Sequence, residues 1–299
     1  MKGGGPGLST GLSGNRLAHS LLWLTLTILN RLITQFTFPG NWPRALAKEN
    51  DNPMTYQPYT IEGADRPARW LVTCDHAANT VPPFVNGGSL GADPADMARH
   101  IAYDVGAAGV ARALGVLLDA PVICSNFSRL VIDPNRGEDD PTLLMKLYDG
   151  TIIPGNRHAG PEELAQRLNK LYRPYHSALA GLAARRDDTV IVSVHSFTRQ
   201  FRGRPPRPWH IGLLYAVDER LARPLLARLR AEPDLVVGDN EPYSGHLEGD
   251  AIARHAIAYE RPNILLELRN DLIGTEAEQQ GWAARLAPML RDALASAGV

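Results

Sequence analysis

The run Thr189-Val-Ile-Val-Ser-Val-His-Ser-Phe197 constrains this chain more than any other stretch. Val190, Ile191, Val192 and Val194 fit a strand buried on both faces, so His195 and Ser196 are expected where strand gives way to loop. Two more apolar runs end alike: Trp70-Leu-Val-Thr-Cys-Asp-His76, and Asn263-Ile-Leu-Leu-Glu-Leu-Arg-Asn270 with Glu267 and Arg269. Open α/β sheets place their chemistry at such strand ends. Strand-like segments alternate with helical ones along the chain, which predicts an α/β three-layer sandwich around a mostly parallel or mixed central sheet.

Pro94 opens a helical pattern in which Met97, Ile101, Val105, Ala108 and Ala111 recur through Leu118, so His100 and Asp104 would share one helix face. Pro121–Ser125 and Leu130–Asp133 read as short strands, and the acidic Glu138-Asp-Asp140 leads into a short helix. Pro161-Glu-Glu163 starts a long helix to about Arg185, its early carboxylates suiting the positive end of the macrodipole. His210–Ala216 is strand-like, Glu219–Arg230 helical, Leu235–Gly238 a short strand, and a closing helix covers about Thr275–Ala297.

A length of 299 residues and a net charge of −1 suit one large domain over 56–299 with no global basic field for nucleic acid, so the expected partner is a small molecule. Cys74 and Cys124 lie inside apolar runs and read as structural thiols, consistent with a reducing cytoplasm. Residues 1–55 differ from the rest, and they are expected to form a poorly ordered extension. Their apolar core, Ser20–Leu29, is about ten residues long against the roughly 20 that span a bilayer, so no stable membrane insertion is expected. It suits a signal h-region without a clean cleavage site; the preferred alternative is an over-extended gene start, with Met54 the true one.

Two histidines, a glutamate and an arginine at strand ends suggest one metal-hydrolase site. Catalytic zinc takes three protein ligands and keeps a position for water, whose pKa it lowers toward about 7. His76 and His195 supply two. Carboxypeptidase-class zinc peptidases place a glutamate three residues after the first histidine, where this chain has Asn79. Asp104 is the preferred third ligand, with Asn79 or His100 as alternatives. Glu267 is the expected general base, moving a proton from water to the departing amine. Ser196 lacks the Gly-x-Ser-x-Gly elbow of a serine nucleophile.

Seven motifs, in order, carry a resemblance: Cys74-Asp-His-Ala-Ala-Asn79; the segment with Asp104; Ser128-Arg129 with Asp133-Pro-Asn-Arg136; Ile153-Pro-Gly-Asn156; His195-Ser-Phe197; Asn240-Glu-Pro-Tyr-Ser-Gly245; and Glu267-Leu-Arg-Asn-Asp-Leu272. Together they resemble the N-formylglutamate amidohydrolase family over roughly residues 68–295. The resemblance implies a phosphorylase/hydrolase-like fold related to zinc carboxypeptidases, one zinc ion per chain, and hydrolysis of N-formyl-L-glutamate to formate and glutamate in histidine degradation. It also implies that Asn135 and Arg136 bind a carboxylate.

A dicarboxylate substrate calls for several guanidinium groups, which bind carboxylates in bidentate fashion. Arg129 and Arg136 are the first choices and Arg269 the next, sharing a sheet face with Glu267. The cationic loop Arg199–Arg207 reads as a solvated face or, through Arg202, as a clamp. Asn240 and Tyr243 would add hydrogen bonds or simply shape a turn. Two clamps fit a dicarboxylate and one fits a simple carboxyl terminus. A zinc hydrolase of another acyl amino acid, peptide or cell-wall amide, and a non-catalytic ligand-binding relative, therefore stay open. So does the oligomeric state.

Overall fold

The strands that carry the candidate residues are buried on both faces because their side chains alternate between two cores. In the computed structural model, which describes residues 56–299, Val190, Val192 and Val194 enter one apolar cluster and Ile191 the other. Trp70, Val72 and Cys74 likewise oppose Leu71, while Ile264, Leu266 and Leu268 oppose Leu265. Helices cover each face, giving the three layers expected. The N-terminal extension over 1–55 and the alternative start at Met54 lie outside the described residues.

In chain order the elements are β1 (Tyr59–Glu62), β2 (Trp70–Cys74), α1 (Pro94–Met97), α2 (Ala107–Leu117), β3 (Val122–Ser125), β4 (Leu147–Tyr148), β5 (Thr151–Ile152), α3 (Pro154–Arg157) and α4 (Pro161–Arg167). A π-helical segment, Leu168–Tyr172, joins α4 to α5 (Arg173–Ala183). There follow β6 (Val190–Phe197), β7 (Ile211–Leu214), α6 (Ala222–Arg230), β8 (Val237–Asp239), α7 (Ala251–His255), β9 (Asn263–Arg269) and α8 (Glu276–Ala297). The main sheet runs β1-β3-β2-β6-β9-β7-β8. Its centre, β3-β2-β6-β9, is parallel, whereas β1 runs antiparallel to β3 and β7 antiparallel to β9. Parallel pairing sets the ends of β2, β6 and β9 along one crest, with His195 in register with Glu267. Among the described residues no helix is long and apolar enough to cross a membrane.

Three local expectations fail for physical reasons. The helix over 94–118 is broken into α1 and α2, because Gly106 takes φ 81° as the N-cap of α2 and a Cβ there would lie 2.2 Å from the Ile273 carbonyl oxygen. Asp104 therefore stands in the turn between the helices, its backbone N–H donating to the His76 carbonyl at 2.9 Å. Leu130–Asp133 is a buried loop: Asn156 Nδ2 donates to the Leu130 carbonyl and Arg167 Nη1 to that of Val131, both at 2.7 Å. The outer edge of β3 is paired by β1, an alternating strand at Tyr59-Thr-Ile-Glu62 that the apolar runs do not reveal. After Glu138–Asp140 the chain makes turns and the β4–β5 hairpin instead of a short helix.

Beneath the sheet crest α5 and α7 meet through a buried pair, His176 Nδ1 and His255 Nε2, 2.8 Å apart with rings stacked. Burial pulls His176 down to about 3 and His255 to about 4, the former helped by its partner and both by Arg254, so both are neutral in the folded state. The folded state thus binds fewer protons than the unfolded one between those values and the ordinary histidine range. Stability is therefore lost as pH falls below about 6.5, by about 1.4 kcal/mol per pH unit per histidine. Asp250, which burial raises to about 6, offsets part of this slope in the same window.

Two outcomes are expected. Gly106→Ala destabilises by at least about 2 kcal/mol in urea unfolding, because the left-handed backbone and the Ile273 carbonyl both resist a methyl group. Thermal melts of the native chain decline from pH 6.5 to 4, and His176→Phe flattens that decline; an equal slope in both proteins would clear the pair of the effect.

Candidate active site

The crest of the sheet brings two imidazoles to one carboxylate. His76 stands in the turn two residues past β2, His195 sits near the end of β6, and Asp104 is delivered by the turn that Gly106 ends. His76 Nδ1 is 3.2 Å from Asp104 Oδ2, and His195 Nδ1 is 2.8 Å from the same oxygen. All three side chains are buried, and their ligating atoms lie within 4.8 Å of one another.

The far side of each ring explains why these atoms gather. His76 Nε2 is 2.6 Å from Asp133 Oδ1, and His195 Nε2 is 3.3 Å from Asp75 Oδ2. Where each Nε2–H donates to its carboxylate, a neutral imidazole presents its Nδ1 lone pair to Asp104. Two lone pairs facing one carboxylate oxygen at 2.8 and 3.2 Å need a positive centre between them. A proton on an imidazole can supply it, and so can a divalent cation. Either balances the charge: Asp75, Asp104 and Asp133 are buried together with Arg129, 2.8 Å from Asp133 Oδ2, as their guanidinium partner, and imidazolium protons or one divalent cation would offset what remains. An N,N,O donor set with its outer nitrogens hydrogen-bonded suits zinc.

The titration behaviour follows from this crowding. Burial opposes charge on His195, but hydrogen bonds to Asp104 and Asp75 override it and hold the ring well above its ordinary range. Burial likewise opposes ionisation of Asp104 and Asp133. His76 and His195 prevail at Asp104, and Arg129 and His76 at Asp133, so both carboxylates lie below the usual range. Asp75 is held low by His195 and by the Tyr175 hydroxyl, which donates to Oδ1. Glu267 goes the other way. Burial pushes it up to about 8, Asp104 adds to the rise and His195 opposes it.

His76, Asp104, Arg129, His195 and Glu267 line a cavity of about 340 Å³. Three buried polar atoms on side chains of that lining have no hydrogen-bond partner among the described residues: Glu267 Oε2, Arg129 Nε and His100 Nε2. Unsatisfied buried groups are costly, and their concentration in one cavity marks where a ligand's polar atoms belong.

Of the residues singled out in the sequence, Asn135, Arg136 and Tyr243 also line this cavity. Others stand elsewhere. Asn79 is exposed and donates to the Met97 carbonyl, apart from the His76–Asp104–His195 group. Arg269 bonds Asp271 at 2.7 Å and approaches the Pro208 and Trp209 carbonyls, and Arg202 reaches Asp96 at 3.3 Å outside the cavity. Asn240 Oδ1 accepts from the backbone of Tyr215 and Gly245, which shapes the loop bearing Tyr243. Asp75, Asp133 and Tyr175 act in the site without standing out as candidates in the sequence. Adjacency of Asp75 to His76 was a signal for the first; nothing local pointed to Tyr175, one hundred residues away from its partner.

Comparison with known proteins adds the following. The family model described as N-formylglutamate amidohydrolase matches residues 68–274. A gene product of Agrobacterium tumefaciens, solved as a crystal structure, is 33% identical with a TM-score of 0.77, over 82% of this chain and 97% of that one. An N-formylglutamate amidohydrolase from Ralstonia eutropha is 22% identical with a TM-score of 0.52, over 79% of this chain and 99% of its own, a likeness of fold. No curated protein matches this chain.

The outer carboxylates should matter for ion affinity. Asp133→Asn, which weakens the acceptor for His76 Nε2, is expected to lower zinc affinity about 10- to 100-fold in a chelator-competition titration. Unchanged affinity would mean that Asp133 does not orient the ring.

Proposed function

The chain belongs to the N-formylglutamate amidohydrolase family, and from that membership we propose that it hydrolyses the amide bond of an N-formyl amino acid. N-formyl-L-glutamate, cleaved to formate and glutamate, is the reference substrate of the family name. The observation that carries this reading is Glu267 Oε2, buried and without a partner among the described residues, in the same cavity as the convergence of His76, Asp104 and His195.

His76, His195 and Asp104 would hold a zinc ion, through Nδ1, Nδ1 and Oδ2. When bound, zinc supplies Lewis-acid polarisation of a carbonyl and lowers the pKa of water to about 7. Asp133 and Asp75 fix the two imidazole tautomers from outside. Glu267 accepts a proton at Oε2 from the water that attacks the formyl carbon, and returns it to the nitrogen as the C–N bond breaks. Without that return the leaving group would be an amide anion, far too basic to depart. Burial raises the proton affinity of the ionised Glu267 carboxylate, which strengthens it as a base, and the base form grows as pH rises toward about 8.

Substrate is oriented by the second half of the cavity. Arg136 engages Thr142 through Nε at 3.2 Å and the Asn135 carbonyl through Nη1 at 2.7 Å, which locks the guanidinium plane. Asn135 is held in turn, its Oδ1 accepting from Ala251 N at 3.1 Å. This pair would receive the α-carboxylate. Arg129, which lines the cavity with an unpartnered Nε, would stabilise the oxyanion formed there.

Glu267→Gln should lower kcat for formate release by at least about 100-fold while zinc stays bound, as judged by metal analysis of the purified variant. A chelator should abolish turnover and added zinc restore it; metal-free protein that still turns over would refute the mechanism.

A further inference from the structure

The guanidinium groups needed for a second carboxylate do not converge on the cavity. Arg269 and Arg202 lie outside it, tied to Asp271 and Asp96. Arg207, which does not line the cavity, is packed against the rings of Phe197, Phe201 and Tyr243, with Nη1 donating to the Tyr243 hydroxyl and Nη2 to the Thr198 carbonyl. Arg129 lines the cavity, but its terminal nitrogens face Asp133 at 2.8 Å and Asp104 at 3.5 Å, so its charge is matched by buried carboxylates. Arg136 remains. Among the described residues its Nη2 and the neighbouring Asn135 Nδ2 make no hydrogen bond, which leaves one guanidinium and one amide for one carboxylate.

The stretch of wall beside Asp250 is unsuited to a second anion. Leu214 and Leu265 are direct partners across the antiparallel β7–β9 pair, both line the cavity, and Ile252 of α7 joins them. Asp250 lines it too. Its Oδ1 caps α7 by accepting from Ala253 N at 2.6 Å, and Oδ2 meets no donor among the described residues. A γ-carboxylate placed here would exchange water for aliphatic carbon beside another acid, which is costly, whereas an apolar side chain would gain from the same burial.

We propose that the substrate carries a single carboxylate, held by Asn135 and Arg136, and an uncharged apolar side chain lodged against Leu214, Ile252 and Leu265. This rests on the amide-hydrolase reading of the same cavity and narrows its substrate class: N-formyl-L-methionine or N-formyl-L-leucine is preferred over N-formyl-L-glutamate.

The test compares these three compounds on the zinc-supplemented full-length chain by formate release, and on Glu267→Gln by calorimetric binding. Both kcat/KM and affinity are expected to favour the methionine and leucine compounds by at least about tenfold. Equal or better performance of N-formyl-L-glutamate overturns the proposal. If none of the three releases formate, the hydrolase reading fails by itself, and the binding order still decides the side-chain question: tighter N-formyl-L-methionine supports it, while tighter or equal N-formyl-L-glutamate, or no binding by any, overturns it. A folded Ile252→Arg variant, checked by circular dichroism, should move the preference toward N-formyl-L-glutamate by about tenfold, and an unmoved ratio would refute this placement of the side chain.

Discussion

The contact of His76 and His195 with a single oxygen of Asp104 is what the rest of the site depends on. Three carboxylates buried together are a severe electrostatic cost in a low-dielectric interior unless cations meet them. Arg129 meets part of that charge, and the imidazoles, turned toward each other by Asp133 and Asp75, concentrate what remains at one point. A divalent cation at that point would bring the cluster near neutrality. The same geometry that is expensive without an ion would thus make the site selective for one.

That arrangement requires three strands to end together and one turn to be placed among them. Parallel pairing of β2, β6 and β9 sets the strand ends, as in other open α/β sheets. The turn is governed by backbone, because Gly106 adopts φ 81° against the Ile273 carbonyl and starts α2 two residues past Asp104. The reversal of direction between β9 and β7 has a separate consequence. It sets Leu214 opposite Leu265, and both line the cavity.

Much of this was legible in the chain. The β-branched runs announced buried strands because both faces of a covered sheet need apolar side chains, and His76, His195 and Glu267 stood at or near their ends. Asp104 was found four residues from His100, but through a helical period that the folded chain does not keep. A single glycine outweighed an apolar pattern of more than twenty residues, since its neighbour across the fold is invisible in the sequence. Leu130–Asp133 misled for a related reason: β-branched residues favour any buried, half-extended backbone, and the side chains of Asn156 and Arg167 satisfy the carbonyls a strand would have paired.

By itself, then, the sequence determined the layered α/β plan and the two histidines with their glutamate, because hydrophobic period and residue chemistry are local properties. Tertiary structure alone decided which arginines face the cavity, which carboxylates brace the imidazoles, and that Asn79 stands apart. Those outcomes depend on where side chains tens of residues apart find partners. Arg269 was placed correctly on its strand, yet Asp271 and the Pro208–Trp209 backbone hold it away from the cavity, and nothing in the linear order of residues encodes that competition.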